Sequence, residues 1–418
     1  MQFPTFSLKT FGCRLNRAES AKYEALLLAA GLCEVPFGTP SDVVIMHTCA
    51  ITATAERECL RILRHTRAKQ PSAWIVITGC AVEAGTLGRL VEMGADDVVV
   101  RPEKEGMAAR ILSRFGMALP AGISKPDQLH RALLKVQDGC SFFCTYCIVP
   151  YTRGAPASRP FEACLEEGAS FIRSGYREIV LTGCNIACYV DKGRRFPDLV
   201  EALMRLPGLG RLRIGSLEPG MGEERLIPLM AGSPHLCNFL HLPIQSGDEG
   251  VLKRMGRKYT VERLRRSLDL FCEALPDIGL GADFITGFPG ESEAAFRQTL
   301  ALVEAYPFSN LHVFPYSERP GTPAVNFEGS IPVAERRRRA QALIEVREEK
   351  RARFARHFIG KEIEVLVERV DARGIGTGWS AEYLPCRISG MTSGALGTLV
   401  KTTPQRVEGE TLHAAIQE

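Results

Sequence analysis

At 418 residues, with 45% hydrophobic and 24% charged content and a formal net charge of +4, the chain has the composition of an ordinary soluble protein of two or three domains. No run approaches the ~18 apolar residues of a membrane span. The N-terminus lacks the basic region and apolar core of a secretory signal, so a cytoplasmic location is expected. In a reducing compartment the fourteen cysteines are expected as thiols, which points to metal or catalytic use for some and simple burial for others.

Residues 1–118 alternate strand and helix. Strands are expected at 6–10, 42–46, 74–78 and 98–100, and helices at 18–30, 52–69, 82–93 and 104–114. This order argues for a parallel sheet covered on both faces. Cys13, Cys49 and Cys80 follow the first three strands. Ligands in open parallel sheets bind beyond the carboxyl ends of the strands, so three cysteines distant in sequence are expected to converge there. Purely structural thiols would tend to lie within the strands instead. Cys33 and Cys59 fit no such pattern and are expected on helix faces. A linker rich in Pro, Gly and Ser (119–127) follows.

The stretch 139–154, Gly-Cys-Ser-Phe-Phe-Cys-Thr-Tyr-Cys-Ile-Val-Pro-Tyr-Thr-Arg-Gly, places Cys140, Cys144 and Cys147 in a C-x3-C-x2-C spacing. A zinc site would ordinarily add a second C-x2-C pair or histidines, and no His lies within several residues. An iron–sulfur cluster held by three thiolates keeps one iron open, as a catalytic metal site does. This is a place for chemistry. The alternation then continues, with strands at 131–136, 178–182, 211–216, 239–243, 279–285 and 310–315. A full eight-unit barrel takes about 250 residues, so about six units are expected, as an incomplete barrel. Its strand ends carry Gly183, Ser216, Glu218, Gln245, Gly287 and Gly290. Cys184 and Cys188 also fall at a strand end and are not expected to be ligands.

The C-terminal third opens with a helix at 335–358 carrying Arg336, Arg337, Arg338 and Arg339. It reads either as a solvated surface helix or as a ridge that contacts phosphate oxygens. From 360 onward short alternating strands at 363–367, 385–388 and 397–401 suggest a small β-barrel, with Trp379 and Tyr383 exposed in a turn.

The C-x3-C-x2-C loop, with Tyr146 before its third cysteine, resembles the signature of radical S-adenosylmethionine (radical SAM) enzymes. Lys9-Thr-Phe-Gly-Cys-Arg-Leu-Asn16, Thr48-Cys49 and Thr78-Gly-Cys80 resemble the N-terminal domain of methylthiotransferases, and residues 360–418 resemble a TRAM domain. The resemblance implies an N-terminal parallel α/β sandwich domain (1–118), a radical SAM partial (β/α)6 barrel with its C-terminal helix (128–358) and a small RNA-binding β-barrel (360–418). It implies two [4Fe–4S] clusters, one on Cys140, Cys144 and Cys147 with its open iron chelating SAM, the other on Cys13, Cys49 and Cys80. Tyr146, Gly183, Ser216, Glu218, Gln245, Gly287 and Gly290 would contact SAM. Arg153, in Pro-Tyr-Thr-Arg-Gly, matches a family motif or forms a surface ion pair.

Thr10-Phe-Gly-Cys-Arg-Leu-Asn16 and Leu311-His-Val-Phe-Pro-Tyr-Ser317 look most like the branch that methylthiolates C2 of N6-threonylcarbamoyladenosine at tRNA position 37. Its partners would be the tRNA anticodon loop, met by Arg336–Arg339, Trp379 and Tyr383, and an electron donor such as flavodoxin or ferredoxin. The same family also acts on N6-isopentenyladenosine or on a ribosomal-protein aspartate. A non-catalytic iron–sulfur RNA-binding protein is the reading from a different class, and it requires fully ligated clusters.

Overall fold

The computed structural model describes residues 3–120 and 130–416, so most of the expected linker (121–127) lies outside the described residues. The chain divides into two compact units. One comprises residues 1–129, 138–157 and 317–325; the other comprises 130–137, 158–316 and 326–418. The cysteine loop at 139–154 thus belongs to the N-terminal unit, and the C-terminal strands belong to the barrel unit.

In the first unit five parallel strands stand in the order Cys33–Glu34, Thr5–Thr10, Val43–Thr48, Trp74–Gly79 and Asp97–Val99. Val43–Thr48 is central and buried throughout, as an apolar strand in a sheet covered on both faces must be. Its side chains alternate between two cores. Val44 and Met46 join Ile75, Ile77, Cys59 and Leu63, while Val43 and Ile45 join Phe6, Leu27, Met107 and Ile111. The helix Ala53–Lys69 starts where Thr52 accepts a hydrogen bond from the Ala55 N–H at 3.1 Å, a side-chain cap that satisfies a donor left free by the helix. Cys59 lies buried on that helix, as expected. Cys33 does not: the preceding helix ends at Ala29, and the left-handed Gly31 turns Cys33 into an exposed edge strand.

The second unit is an incomplete parallel (β/α)6 barrel. Its strands are Arg131–Lys135, Glu178–Thr182, Arg211–Ile214, Phe239–Gln245, Gly279–Thr286 and Phe308–Pro315. They form two three-stranded sheets joined by the bridges Leu212↔Leu236 and Ser216↔His241. Arg131–Lys135 and Phe308–Pro315 are the free edges. The helix Val333–Arg356 packs along the latter. The chain ends in a six-stranded sheet curled round Val365, Val367, Leu384, Ile388 and Leu412. Two of its strands, Arg406–Glu408 and Thr411–Ala415, are too short and mixed in pattern to be expected from the sequence.

A charged cluster joins this sheet to the barrel. Glu178 and Arg211 open their barrel strands, Arg213 lies two residues further along the second of these, and all three are buried. Arg211 Nε donates to Glu178 Oε2 at 2.6 Å and Arg213 Nε to Oε1 at 2.8 Å. Their remaining nitrogens donate to the carbonyls of Trp379, Ser380 and Ala381 at 2.9–3.0 Å. Burial pushes the Glu178 carboxyl up, but Arg213 and Arg211 outweigh it and hold the group well below the usual carboxylate range. The segment 379–383 thereby closes the N-terminal end of the barrel.

Candidate active site

The sheet of the first unit aligns its three cysteines. Thr10 pairs with His47 and Thr48 with Gly79, so the residues just beyond these strand ends emerge along one edge. Cys49 and Cys80 follow their strands directly, and Cys13 forms the N-cap of the helix Arg14–Ala29. The backbones crowd here: a Cβ on Gly12 would lie 2.5 Å from Cys49 Sγ. Only a residue without a side chain, at φ +89, lets the Cys13 turn approach so closely. Burial, and to a lesser degree neighbouring Cys80 and Cys13, push the Cys49 thiol up to about 12. Thiols so placed ionise readily only beside a cation. This donor set fits a thiolate-bound metal cluster.

The loop of Cys140, Cys144 and Cys147 is closed on itself. Gly139 opens it in the left-handed region, where a Cβ would collide with the Ala155 carbonyl. The Cys140 N–H donates to the Gly154 carbonyl at 3.0 Å, and the Cys147 N–H to that of Cys144 at 2.9 Å. The Phe142 N–H points at Cys140 Sγ from 3.5 Å, a donor suited to a thiolate. Tyr146 is half-buried in this loop.

Arg153 ties the two cysteine elements together. It is not a surface ion pair: its side chain is 4% exposed. It donates to Asn16 Oδ1 at 2.6 Å, to Asp138 Oδ1 at 3.0 Å and to Glu19 Oε1 at 3.1 Å. Asn16 in turn donates to the carbonyls of Phe11 and Thr48, both at 2.9 Å, clamping the strand ends that bear Cys13 and Cys49. Lys104 Nζ and His47 Nε2 each lie 3.2 Å from Glu19 Oε2. Burial holds the His47 imidazole down at about 4, so it sits there neutral. One buried guanidinium therefore bridges the Cys140–Cys147 loop and the helix that begins at Cys13.

In the barrel unit the strand ends carry the other expected groups. Ser216 is exposed. Glu218 is buried with Arg257 Nη2 2.8 Å from its Oε1; burial raises its carboxyl and Arg257 opposes this. Gln245 has φ +73 and is buried, a strained backbone of the kind that collects at functional sites. The glycines serve their own chain closely: Gly183 lies against the Gln137 carbonyl, Gly287 against Arg336 and Gly290 against Arg254. Cys184 and Cys188 are half-buried around the turn Ile186–Cys188.

The expected RNA ridge is corrected. Arg336 and Arg339 are buried. Arg336 donates to the Ile331 and Tyr316 carbonyls at 2.6 and 2.8 Å, and Arg339 to the Glu291 carboxylate at 2.7 Å. They fall on the helix face that also buries Ala340 and Leu343, so their charges face inward and only Arg337 and Arg338 remain exposed. Trp379 and Tyr383 are likewise not a free stacking surface. Their rings stack on each other with centroids 4.7 Å apart, and Tyr383 packs on Phe239 at 4.8 Å.

One cluster had no sequence signal. His241, Asp283 and His312 lie on three adjacent strands, and their ligand atoms fall within 4.8 Å of one another. Each is a single residue in an apolar strand, so only pairing register brings them together.

Residues 134–303 match the Radical SAM superfamily, and residues 5–100 match the uncharacterized protein family UPF0004. The fold is similar to that of the radical S-adenosylmethionine methyltransferase TsrM from Kitasatospora setae, with a TM-score of 0.56 and 15% identity over 78% of this chain and 77% of that one. The chain is 36% identical to the threonylcarbamoyladenosine tRNA methylthiotransferase MtaB of Chlamydia pneumoniae, over 98% of this chain and 97% of the relative. It is also 36% identical to the tRNA-2-methylthio-N(6)-dimethylallyladenosine synthase of Novosphingobium aromaticivorans, over 87% of each. The match over residues 134–303, which include the three-cysteine loop and most of the barrel strands, together with the named relatives, makes this a radical SAM enzyme. Within that class the chain belongs to the methylthiotransferase family, which implies SAM and a [4Fe–4S] cluster as cofactors.

Proposed function

We propose that this enzyme methylthiolates C2 of N6-threonylcarbamoyladenosine at position 37 of tRNA, using two [4Fe–4S] clusters and two SAM molecules. The observation that carries the reading is that both cysteine sets belong to one compact unit and are bridged by Arg153. Cys140, Cys144 and Cys147 would hold the SAM-binding cluster, and Cys13, Cys49 and Cys80 the cluster that donates sulfur. Tyr146 would flank SAM from the cysteine loop, while Ser216, Glu218 and Gln245 offer polar partners at the barrel strand ends. Adenine C2–H is unactivated, and no side chain is a strong enough base to remove it. Reductively cleaved SAM supplies a carbon radical for this purpose, which the protein must position and shield.

Three relatives at 32–36% identity over 91–98% of this chain carry the threonylcarbamoyl name and support that branch. Similar identity to a dimethylallyladenosine synthase keeps the isopentenyl substrate as the second reading. The tRNA anticodon loop, an electron donor such as flavodoxin or ferredoxin, and a cytoplasmic location complete the proposal. Among the described residues no helix is long and apolar enough to cross a membrane.

Two measurements test it. Anaerobically reconstituted protein should carry about eight irons as two four-iron clusters, and changing Cys140, Cys144 and Cys147 together to Ala should leave about half. Nucleoside analysis of tRNA from a deletion strain should show N6-threonylcarbamoyladenosine without its methylthio form. Loss of the methylthio-isopentenyl nucleoside instead would move the enzyme to the second reading.

A further inference from the structure

The inner face of the last two barrel strands is polar where their outer face is not. On Gly279–Thr286 the outward residues Leu280, Ala282 and Phe284 are fully buried. Gly281, Asp283 and Ile285 point the other way. A register shift after Leu280 brings Asn310, His312 and Phe314 of the edge strand onto this same face, paired with Gly281, Asp283 and Ile285 respectively. His312 and Phe314 are 45% and 47% exposed. Both lie on Phe308–Pro315, the strand that ends this sheet.

The row is pre-oriented. Asp283 Oδ1 lies 2.9 Å from His241 Nε2 and 3.1 Å from His312 Nδ1. Because a carboxylate oxygen accepts, His312 carries its proton on Nδ1, and its Nε2 is turned outward. There Asn310 Nδ2 stands 3.3 Å away. His241 is buried flat over Gly281, where a Cβ would lie 2.7 Å from its Nδ1. Asp283 is thus anchored from behind and fixes His312 in front. Phe314 lies beyond, its ring centroid 6.5 Å from that of His312 and edge-to-face with it. An exposed aromatic face beside an imidazole and an amide suits a purine carrying a hydrogen-bonding substituent.

We propose that Asn310 and His312, with Asp283 as the positioning residue, read the N6 substituent of the target adenosine, selecting a polar carbamoyl-amino-acid group over a hydrocarbon chain, while Phe314 stacks on the base. This rests on the tRNA adenosine reading above. A threonylcarbamoyl group offers an N–H, a hydroxyl and a carboxylate to the imidazole and amide. An isopentenyl group offers none, and its hydrocarbon would displace water from the imidazole and amide without replacing those hydrogen bonds.

The test uses the reconstituted holoenzyme, its His312→Ala, His312→Gln and Phe314→Ala variants, and two tRNAs that differ only in carrying a threonylcarbamoyl or an isopentenyl group at N6. Wild type is expected to prefer the threonylcarbamoyl tRNA. His312→Ala should lower kcat/KM for it roughly 10- to 100-fold, the worth of one or two substrate hydrogen bonds. It should not lower the isopentenyl rate, because the imidazole that disfavours a hydrocarbon chain is then gone, so the preference between the two tRNAs should narrow. His312→Gln, which keeps a hydrogen-bonding tip, should recover part of the loss. Phe314→Ala should lower both rates together, roughly tenfold, since the base is common to both. An unchanged preference in His312→Ala overturns the inference while the methylthiotransferase reading stands. Wild type acting only on isopentenyl tRNA overturns it too, and wild type acting on neither removes both. One zinc bound per holoenzyme and lost in His312→Ala would make the row a metal site and overturn it as well.

Discussion

Replacing Arg153 by Leu tests whether the buried bridge holds the Cys140–Cys147 loop in register. The guanidinium makes three short side-chain contacts, to Asn16, Asp138 and Glu19, in a pocket where it is 4% and Glu19 is 8% exposed. Removing one partner of a buried pair costs about 3–5 kcal/mol because the other charge is stranded. Lys104 stays 3.2 Å from Glu19, so the lower end, about 3 kcal/mol, applies here. For a unit of this size that lowers the melting temperature by roughly 10 °C. Anaerobic calorimetry measures this, and iron analysis of the same sample should fall from about eight toward about four as the loop's cluster becomes labile. 5′-Deoxyadenosine formation should fall with it. Adding Glu19→Gln should lower the melting temperature further, since buried Lys104 then loses the carboxylate 3.2 Å from its Nζ. A single variant that melts within about 2 °C of wild type with full iron would refute the bridge.

His47 makes the first unit acid-sensitive. Its proton affinity is held at about 4 by burial against about 6.5 in the unfolded chain. The unfolded state therefore binds more protons as pH falls, and stability drops. Between pH 7.5 and 5 the loss is about 2 kcal/mol, and His47→Asn should flatten that slope in unfolding titrations. In the C-terminal helix, Arg336→Ala and Arg339→Ala should lower the melting temperature by several degrees while Arg337→Ala leaves it unchanged; for tRNA affinity only the Arg337 and Arg338 variants should reduce the salt dependence, which filter binding across salt concentrations checks.

The sequence was most legible where chemistry and chain proximity coincide. Cys140, Cys144 and Cys147 lie within eight residues, so their placement on one closed loop is legible from spacing alone. Cys13, Cys49 and Cys80 became legible through topology, because all three follow strands of one parallel sheet. Arg153 stayed ambiguous because Glu19 lies 134 residues away, and no local pattern distinguishes a buried arginine from an exposed one. Arg336 and Arg339 do carry a signal in the sequence: they share the helical spacing of Ala340 and Leu343, which marks an inward face. Trp379 and Tyr383 have the local sequence of exposed turn aromatics, and Phe239 on a distant strand explains their packing against each other. The row of Asp283 and His312 depends on a register shift in a pairing that sequence periodicity does not encode.

The closure of the barrel by residues 379–383 has a consequence for how the chain is made. Arg211 must meet the carbonyl of a residue 168 positions later, and Arg213 that of one 167 later. Until the last strands leave the ribosome, Glu178 and its two arginines have no ceiling of carbonyls, and the start of the barrel remains open to water. Contacts this far apart close late and slowly, and an uncapped parallel sheet is the kind of intermediate that aggregates. A chain cut short near residue 360 would therefore fail first as a folding problem, before any question of how it grips its substrate.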